Sequence, residues 1–249
     1  MCTLTFAWRV FDDAPLVVAA NRDEALDRPA VSPSVVDADP AVLAPRDEQA
    51  GGTWIGVNDD GVFVGVTNRW TDVDLAAERS RGLLVDDALA QSSAADARAV
   101  VEDAVAADEY DGFNLLVADA DDCTYFEWDG DLVVESLEPG VHVVVNVGRV
   151  DEFEIPDVRR EYAESQADNA RTVHSALQVH DGESATGWRE RAAAVLRDHE
   201  YGVCVHGDGY GTRSSSLLEL GTDIRYWFAD GSPCETEYER VRTTLEGEV

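Results

Sequence analysis

Strand-like segments in this chain arrive in groups, with helix-like segments grouped between them. That order constrains the fold more than any other feature, because a parallel doubly wound sheet needs strand and helix to alternate. The first group opens with TLTFAWRV, where Leu4, Phe6, Trp8 and Val10 share one face and Cys2 is in phase with them. A turn at DDAP leads to LVVAA, a buried-type strand ending at NRDEALDRPA. The two runs read as a hairpin that sets Cys2 beside Asn21. Residues 29–50 show little periodicity and read as an irregular connection. TWIGV and VFVGVT form a second hairpin around NDDG. Helical spacing follows in RGLLVDDALA and SAADARAVVEDAVAAD, the latter with Ser93 as N-cap. Four strand-like runs (FNLLVADADD, CTYFEWDGD, LVVESLEPG, VHVVVNVG) come next. Two helical stretches, near 157–180 and 187–199, precede GTRSSSLLEL and DIRYWFAD. Antiparallel sheets with helices on their outer faces fit this order, so the expected class is α+β, as one domain over residues 1–249.

The charge balance narrows the partners. Nineteen basic residues, every one an arginine, stand against 51 acidic ones, for a formal net charge of −32. The acid is spread along the whole chain. Such a surface repels itself at low ionic strength and is tolerated where the Debye length falls to about 3 Å, at roughly 1 M salt. The composition therefore reads as that of an extreme halophile. It also argues against nucleic acid or an anionic membrane as partner, since neither would meet a basic patch. Cys2, Cys123, Cys204 and Cys234 are too scattered for a disulfide framework, and no Cys-x-x-Cys pair occurs. His199 and His206 are not spaced for one helix face, so neither a metal site nor a cofactor is expected. Residues 1–20 lack the basic start and apolar stretch of a signal peptide, and no apolar run approaches ~20 residues. The expectation is a soluble, cytoplasmic protein without membrane insertion. Its oligomeric state has no signature in the sequence.

Chemistry centres on Cys2. Removal of the initiator methionine, usual ahead of a small residue, would leave thiol and α-amine on one residue. An α-amine of pKa ~7.7–8.0 is partly free base near neutrality and lies within reach of its own sulfur, directly or through one water. Considered alone, a plain buried core cysteine is an equally good reading. The first hairpin brings Asn21, Arg22 and Asp23 toward the thiol. An aspartate beside the ammonium orients it, and an asparagine can donate to a developing oxyanion. On spacing alone, a solvated turn is the stronger reading of that run.

The motifs MCTLTF, ANRDE, GGTWIGVNDDG, TNRW, GFNLLVAD and GTRSS, in that order from residue 2 to about 220, resemble the NRDE family, also called the transport and Golgi organisation protein 2 family. The resemblance implies an N-terminal nucleophile hydrolase fold: a four-layer αββα sandwich of two antiparallel sheets flanked by helices. It also implies a distant relation to choloylglycine hydrolases and penicillin V acylases, which cleave non-peptide amide bonds with an N-terminal cysteine. By position, Cys2 matches the nucleophile and Asp23 the aspartate that holds the α-amine. Asn146 resembles the oxyanion-hole asparagine, and Asn68 a second contributor through its backbone N–H. Arg213 matches the family motif, either as an anchor for a substrate carboxylate or as a structural ion pair. The hydrolases carry arginine directly before the asparagine of this turn, where this chain has Ala20; its Arg22 falls one place after. The implied function is an amidohydrolase acting on a small molecule, without cofactor. Family members are also linked to haem or lipid handling. The alternative is therefore a carrier for haem, lipid or an acyl ligand, with Trp54, Trp70 and Phe113 lining its pocket and Cys2 as axial ligand to a haem.

Overall fold

The computed structural model describes residues 2–36 and 38–242; Met1, whose removal the chemistry above requires, lies outside them. In chain order the elements are β1 (Thr3–Trp8), β2 (Leu16–Ala25), β3 (Ala30–Val36), β4 (Val42–Asp47), β5 (Ile55–Asn58), β6 (Phe63–Asn68), α1 (Arg81–Leu89), α2 (Ala94–Ala107), β7 (Phe113–Ala118), β8 (Cys123–Trp128), β9 (Leu132–Ser136), β10 (Gly140–Val145), β11 (Gly148–Arg149), β12 (Glu152–Phe153), α3 (Arg160–Ala176), α4 (Ala185–Arg197), β13 (Tyr210–Leu220), β14 (Ile224–Ala229) and β15 (Glu239–Arg240). They fall into two compact units, one made of the residues up to Arg28 with Pro139–Val241, the other of Pro29–Glu138.

The first unit holds an eight-stranded sheet in the order β12-β11-β10-β1-β2-β13-β14-β15. β1 pairs antiparallel with β2 and β10, so that Thr3 stands opposite both Asn21 and Val145. β2 does not end at the NRDE run. That run stays extended because β13 pairs along its far side from Leu16 to Ala25, giving its backbone a second ladder. Asn21, Arg22 and Asp23 are accordingly buried, not solvated. The sheet face that carries Asn21 also carries Thr3, Thr5, Ala7 and Ala19, all small. Such a face lets helices approach closely. α3 lays Ala163, Ala167, Ala170 and Val173 toward β10, and α4 buries Trp188, Ala192 and Leu196 against β2 and β13. Trp188 Nε1 donates to Leu177 O at 2.7 Å and joins the two helices. Leu4, Phe6 and Trp8 occupy the opposite face and are buried, as their alternation predicts.

The second unit holds a seven-stranded sheet in sequence order, β3 to β9. β3 and β4 replace the irregular connection expected over residues 29–50. The signal was masked by Pro33, which falls at the irregularity between Val31 and Ser34, in an edge strand where a missing N–H is tolerated. α1 and α2 cover the sheet through Leu84, Val85, Leu89, Ala97 and Val101, packed with Val64, Phe113, Leu115 and Phe126. Ser93 caps α2, accepting from Asp96 N. The GGTW motif is a site of close approach. Gly52 has φ +75°, and a Cβ there would lie 2.2 Å from the Gly82 carbonyl carbon at the start of α1. TNRW and GFN build one buried knot. Arg69 Nη1 donates to Asn114 Oδ1 at 3.1 Å and lies 3.1 Å from Glu127 Oε1; Asn114 Nδ2 donates to Thr67 Oγ1 at 3.1 Å.

Every strand pairing among the described residues is antiparallel, and each sheet has two helices. The class is α+β, as the grouping of segments predicts. Among the described residues no helix is long and apolar enough to cross a membrane.

Candidate active site

Strand register assembles the site. Since Thr3 faces Asn21 on one side and Val145 on the other, one further step sets Cys2 opposite Arg22 and opposite Asn146, in the turn after β10. Directly opposite residues in an antiparallel pair project to the same face. The Cys2 backbone N–H donates to Asn146 Oδ1 at 2.8 Å. Gln166, a buried residue of α3, donates its Nε2 to the same oxygen at 2.9 Å. With two donors on the oxygen, the amide is fixed in orientation and its Nδ2 amino group forms the other end, a hydrogen-bond donor. Cys2 Sγ lies 3.7 Å from Asp23 O. Burial pushes the thiol above its ordinary range, while the Arg22 guanidinium works in the opposite direction. Arg22 is itself buried, with Nη2 3.8 Å from Glu24 Oε2.

Asp23 and Asn21 have different tasks. Asp23 Oδ1 accepts from Thr212 Oγ1 at 2.6 Å, and its carbonyl accepts from Tyr210 OH at 3.1 Å. Burial raises its carboxyl from an ordinary 3.8 to about 6. Asn21 donates both Nδ2 hydrogens, to Leu196 O at 3.0 Å and Val203 O at 2.8 Å, and its oxygen accepts from Ser215 Oγ at 2.6 Å. Its amide therefore ties the end of α4 to β2, with no N–H left over for an oxyanion.

Arg213 occupies a bulge. Thr212 pairs with Asp23 and Ser214 with Arg22, leaving Arg213 as the extra residue that re-aims its side chain. Its Nη1 is 2.9 Å from Asp230 Oδ1, and it borders a cavity of about 370 Å³ lined also by Leu26, His206, Tyr210, Thr212 and Glu235. Asn68 ends β6 in the second unit, opposite Phe113. Phe113 is a core residue there, stacked on Trp128. Cys2, Arg22, Asp23 and Asn146 thus come together in the first unit, with Asn21 behind them and Arg213 at the cavity. Gln166 and Thr212 were invisible to sequence reasoning. Only the helical phase of Gln166 and the pairing of β13 with β2 identify them.

Solved structures define the class of fold. Penicillin V acylase from Agrobacterium tumefaciens superposes with a TM-score of 0.56, over 92% of this chain and 83% of its own, at 15% identity. The Caenorhabditis elegans ortholog of N-acylethanolamine-hydrolyzing acid amidase gives 0.60 over 87% and 92%, at 11% identity. A variant of conjugated bile acid hydrolase from Clostridium perfringens gives 0.56 over 100% and 95%, at 12% identity. The fold is that of the N-terminal nucleophile hydrolases. The chain itself belongs to the Transport and Golgi organisation 2 family, whose sequence model matches residues 1–230. A Bos taurus homolog of Transport and Golgi organization protein 2 is 27% identical over 274 residues, spanning 98% of this chain and 97% of its own.

Proposed function

We propose that the protein is a cysteine amidohydrolase that cleaves a non-peptide C–N bond in a small molecule, working in the cytoplasm of a halophile. The contact that carries this reading is the 2.8 Å hydrogen bond from the Cys2 nitrogen to Asn146 Oδ1, beside a thiol that burial keeps protonated. A protonated thiol needs a base, and the α-amine freed at Cys2 by removal of Met1 is the nearest one. The amine takes the thiol proton as sulfur attacks the substrate carbonyl. Asn146 Nδ2 donates to the oxyanion, with the Asn68 backbone N–H as a second donor on the strength of its motif alone. Collapse breaks the C–N bond, the same proton goes to the leaving amine, and a thioester to Cys2 remains. Water then attacks the thioester, releasing the carboxylic acid and restoring the thiol. Asp23 holds the ammonium form of the amine, and Arg22 supplies positive charge near the thiolate. Asn21 positions the strand, and Arg213 is the candidate anchor for a substrate carboxylate.

The test compares the untagged protein with a form extended at its N-terminus, in multimolar salt. The probes are penicillin V, an N-acylethanolamine and a conjugated bile acid, the compound classes named for the structural neighbours. Turnover is expected only when Cys2 is the mapped N-terminal residue, and Cys2→Ser should reduce it by roughly 10⁴-fold or more. Equal turnover by extended and untagged protein, or activity retained in Cys2→Ser, would sink the mechanism.

A further inference from the structure

His199, Cys204, His206 and Cys234 converge, each offering one ligand atom within 4.8 Å of the other three. His206 Nε2 lies 3.8 Å from Cys204 Sγ and 3.1 Å from Cys234 Sγ. The His199 ring meets His206 edge-on, with centroids 5.1 Å apart. Around a tetrahedral zinc ion, with Zn–S of about 2.3 Å and Zn–N of about 2.0–2.1 Å, a nitrogen and a sulfur ligand stand about 3.6 Å apart. The two observed nitrogen–sulfur distances bracket that value. Thiol–imidazole hydrogen bonding would account for His206 alone; it gives His199 no reason to arrive at the same point.

We propose that these four residues form a zinc site of the two-cysteine, two-histidine type. Thiolate and imidazole donors together select zinc over the hard cations magnesium and calcium. Four protein ligands fill a tetrahedral shell and leave no position for a reacting water, so the role is structural. Three ligands come from the connection between α4 and β13, and the fourth from the connection between β14 and β15. The first connection turns at glycines with φ +66° and +77° (Gly202 and Gly209), and its Val203 carbonyl accepts from Asn21 at 2.8 Å. The ion would pin the two connections together. His206 and Glu235, one from each, line the cavity beside Arg213. Val205, between two of the ligands, donates its N–H at 2.8 Å to Thr212 Oγ1, the hydroxyl that holds Asp23. The ion thus positions one wall of the cavity and, through Thr212, the Asp23 carboxylate. It does so whether or not Cys2 is a nucleophile.

The test is metal analysis by plasma mass spectrometry on protein purified in high salt without chelator. About one zinc per chain is expected in the wild type and in Cys123→Ser, and near none in Cys234→Ser or His206→Ala. A second measurement needs no variant and so survives any folding failure. Chelator-stripped protein titrated with cobalt(II) should show sulfur-to-metal charge transfer and the intense visible bands of a tetrahedral site. Zinc undiminished in both Cys234→Ser and His206→Ala would overturn the proposal. So would wild-type protein that holds no zinc and gives only the weak cobalt bands of carboxylate coordination, or that carries a Cys204–Cys234 disulfide in place of metal.

Discussion

The two units bury polar groups to opposite ends. In the second, Thr67, Arg69, Asn114 and Glu127 are linked to one another by hydrogen bonds and an ion pair. In the first, a thiol, a guanidinium, a carboxyl and an amide are gathered around the start of β1. Both sets come from short polar motifs that look alike in sequence. Placement separates them: TNRW and GFN link strands of one sheet to one another, whereas NRDE gathers unlike reactive groups at the start of β1.

The sharpest way to break this contrast is Arg69→Ala. It removes the cation beside Glu127, leaving the Tyr125 hydroxyl as the donor to Glu127 and to the Asn114 oxygen, and should cost about 3–5 kcal/mol by denaturant unfolding. Alkylation of Cys2 in the folded fraction should keep its rate; a parallel collapse of Cys2 reactivity would mean that the knot serves the chemistry. Next in size is Asn146→Ala, expected to lower acyl-enzyme formation about 10²–10³-fold. A loss below tenfold would remove Asn146 from the oxyanion role. Asp23→Asn tests the buried carboxyl. Its folded pKa of about 6 lies above the ordinary 3.8, so between these values the folded state holds a proton that the unfolded chain has released. Stability from this group therefore falls as pH rises from about 4 to 6, by at most about 3 kcal/mol. The difference between wild type and variant across that window should show the slope, and equal slopes would refute the raised pKa. The smallest effect belongs to Arg213→Ala. Its ion pair with Asp230 is partly exposed and should contribute less than about 1 kcal/mol to stability. A KM rise at unchanged kcat would identify it as the substrate anchor.

The alternation in TLTFAWRV placed Leu4, Phe6 and Trp8 on a buried face and set Cys2 near Asn21, because period and hairpin register are local properties. The end of β2 was not legible. Whether NRDE turns or stays extended depends on β13, about 190 residues away, and its Asn, Arg and Asp favour turns when read alone. Pro33 hid β3 for a comparable reason, since only the sheet order shows that its strand lies at an edge. The convergence of His199, Cys204, His206 and Cys234 was obscured by a spacing of 28 residues between His206 and the last ligand and by the absence of a Cys-x-x-Cys pair. A more telling sign was the run from His199 through Cys204 to His206, three soft donors in eight residues.

The hydrogen bond between Cys2 and Asn146 spans 144 positions. At a synthesis rate of about 5–20 residues per second, roughly 7–30 s pass between the making of its two ends. Until then the head of the chain has its hairpin partner but not the side chain that later receives its nitrogen. Enzymes that trim or modify the nascent chain ahead of Cys2 have that interval in which to act. Folding thus sets an order of events, in which the Cys2 nitrogen gains its acceptor only after that interval has passed.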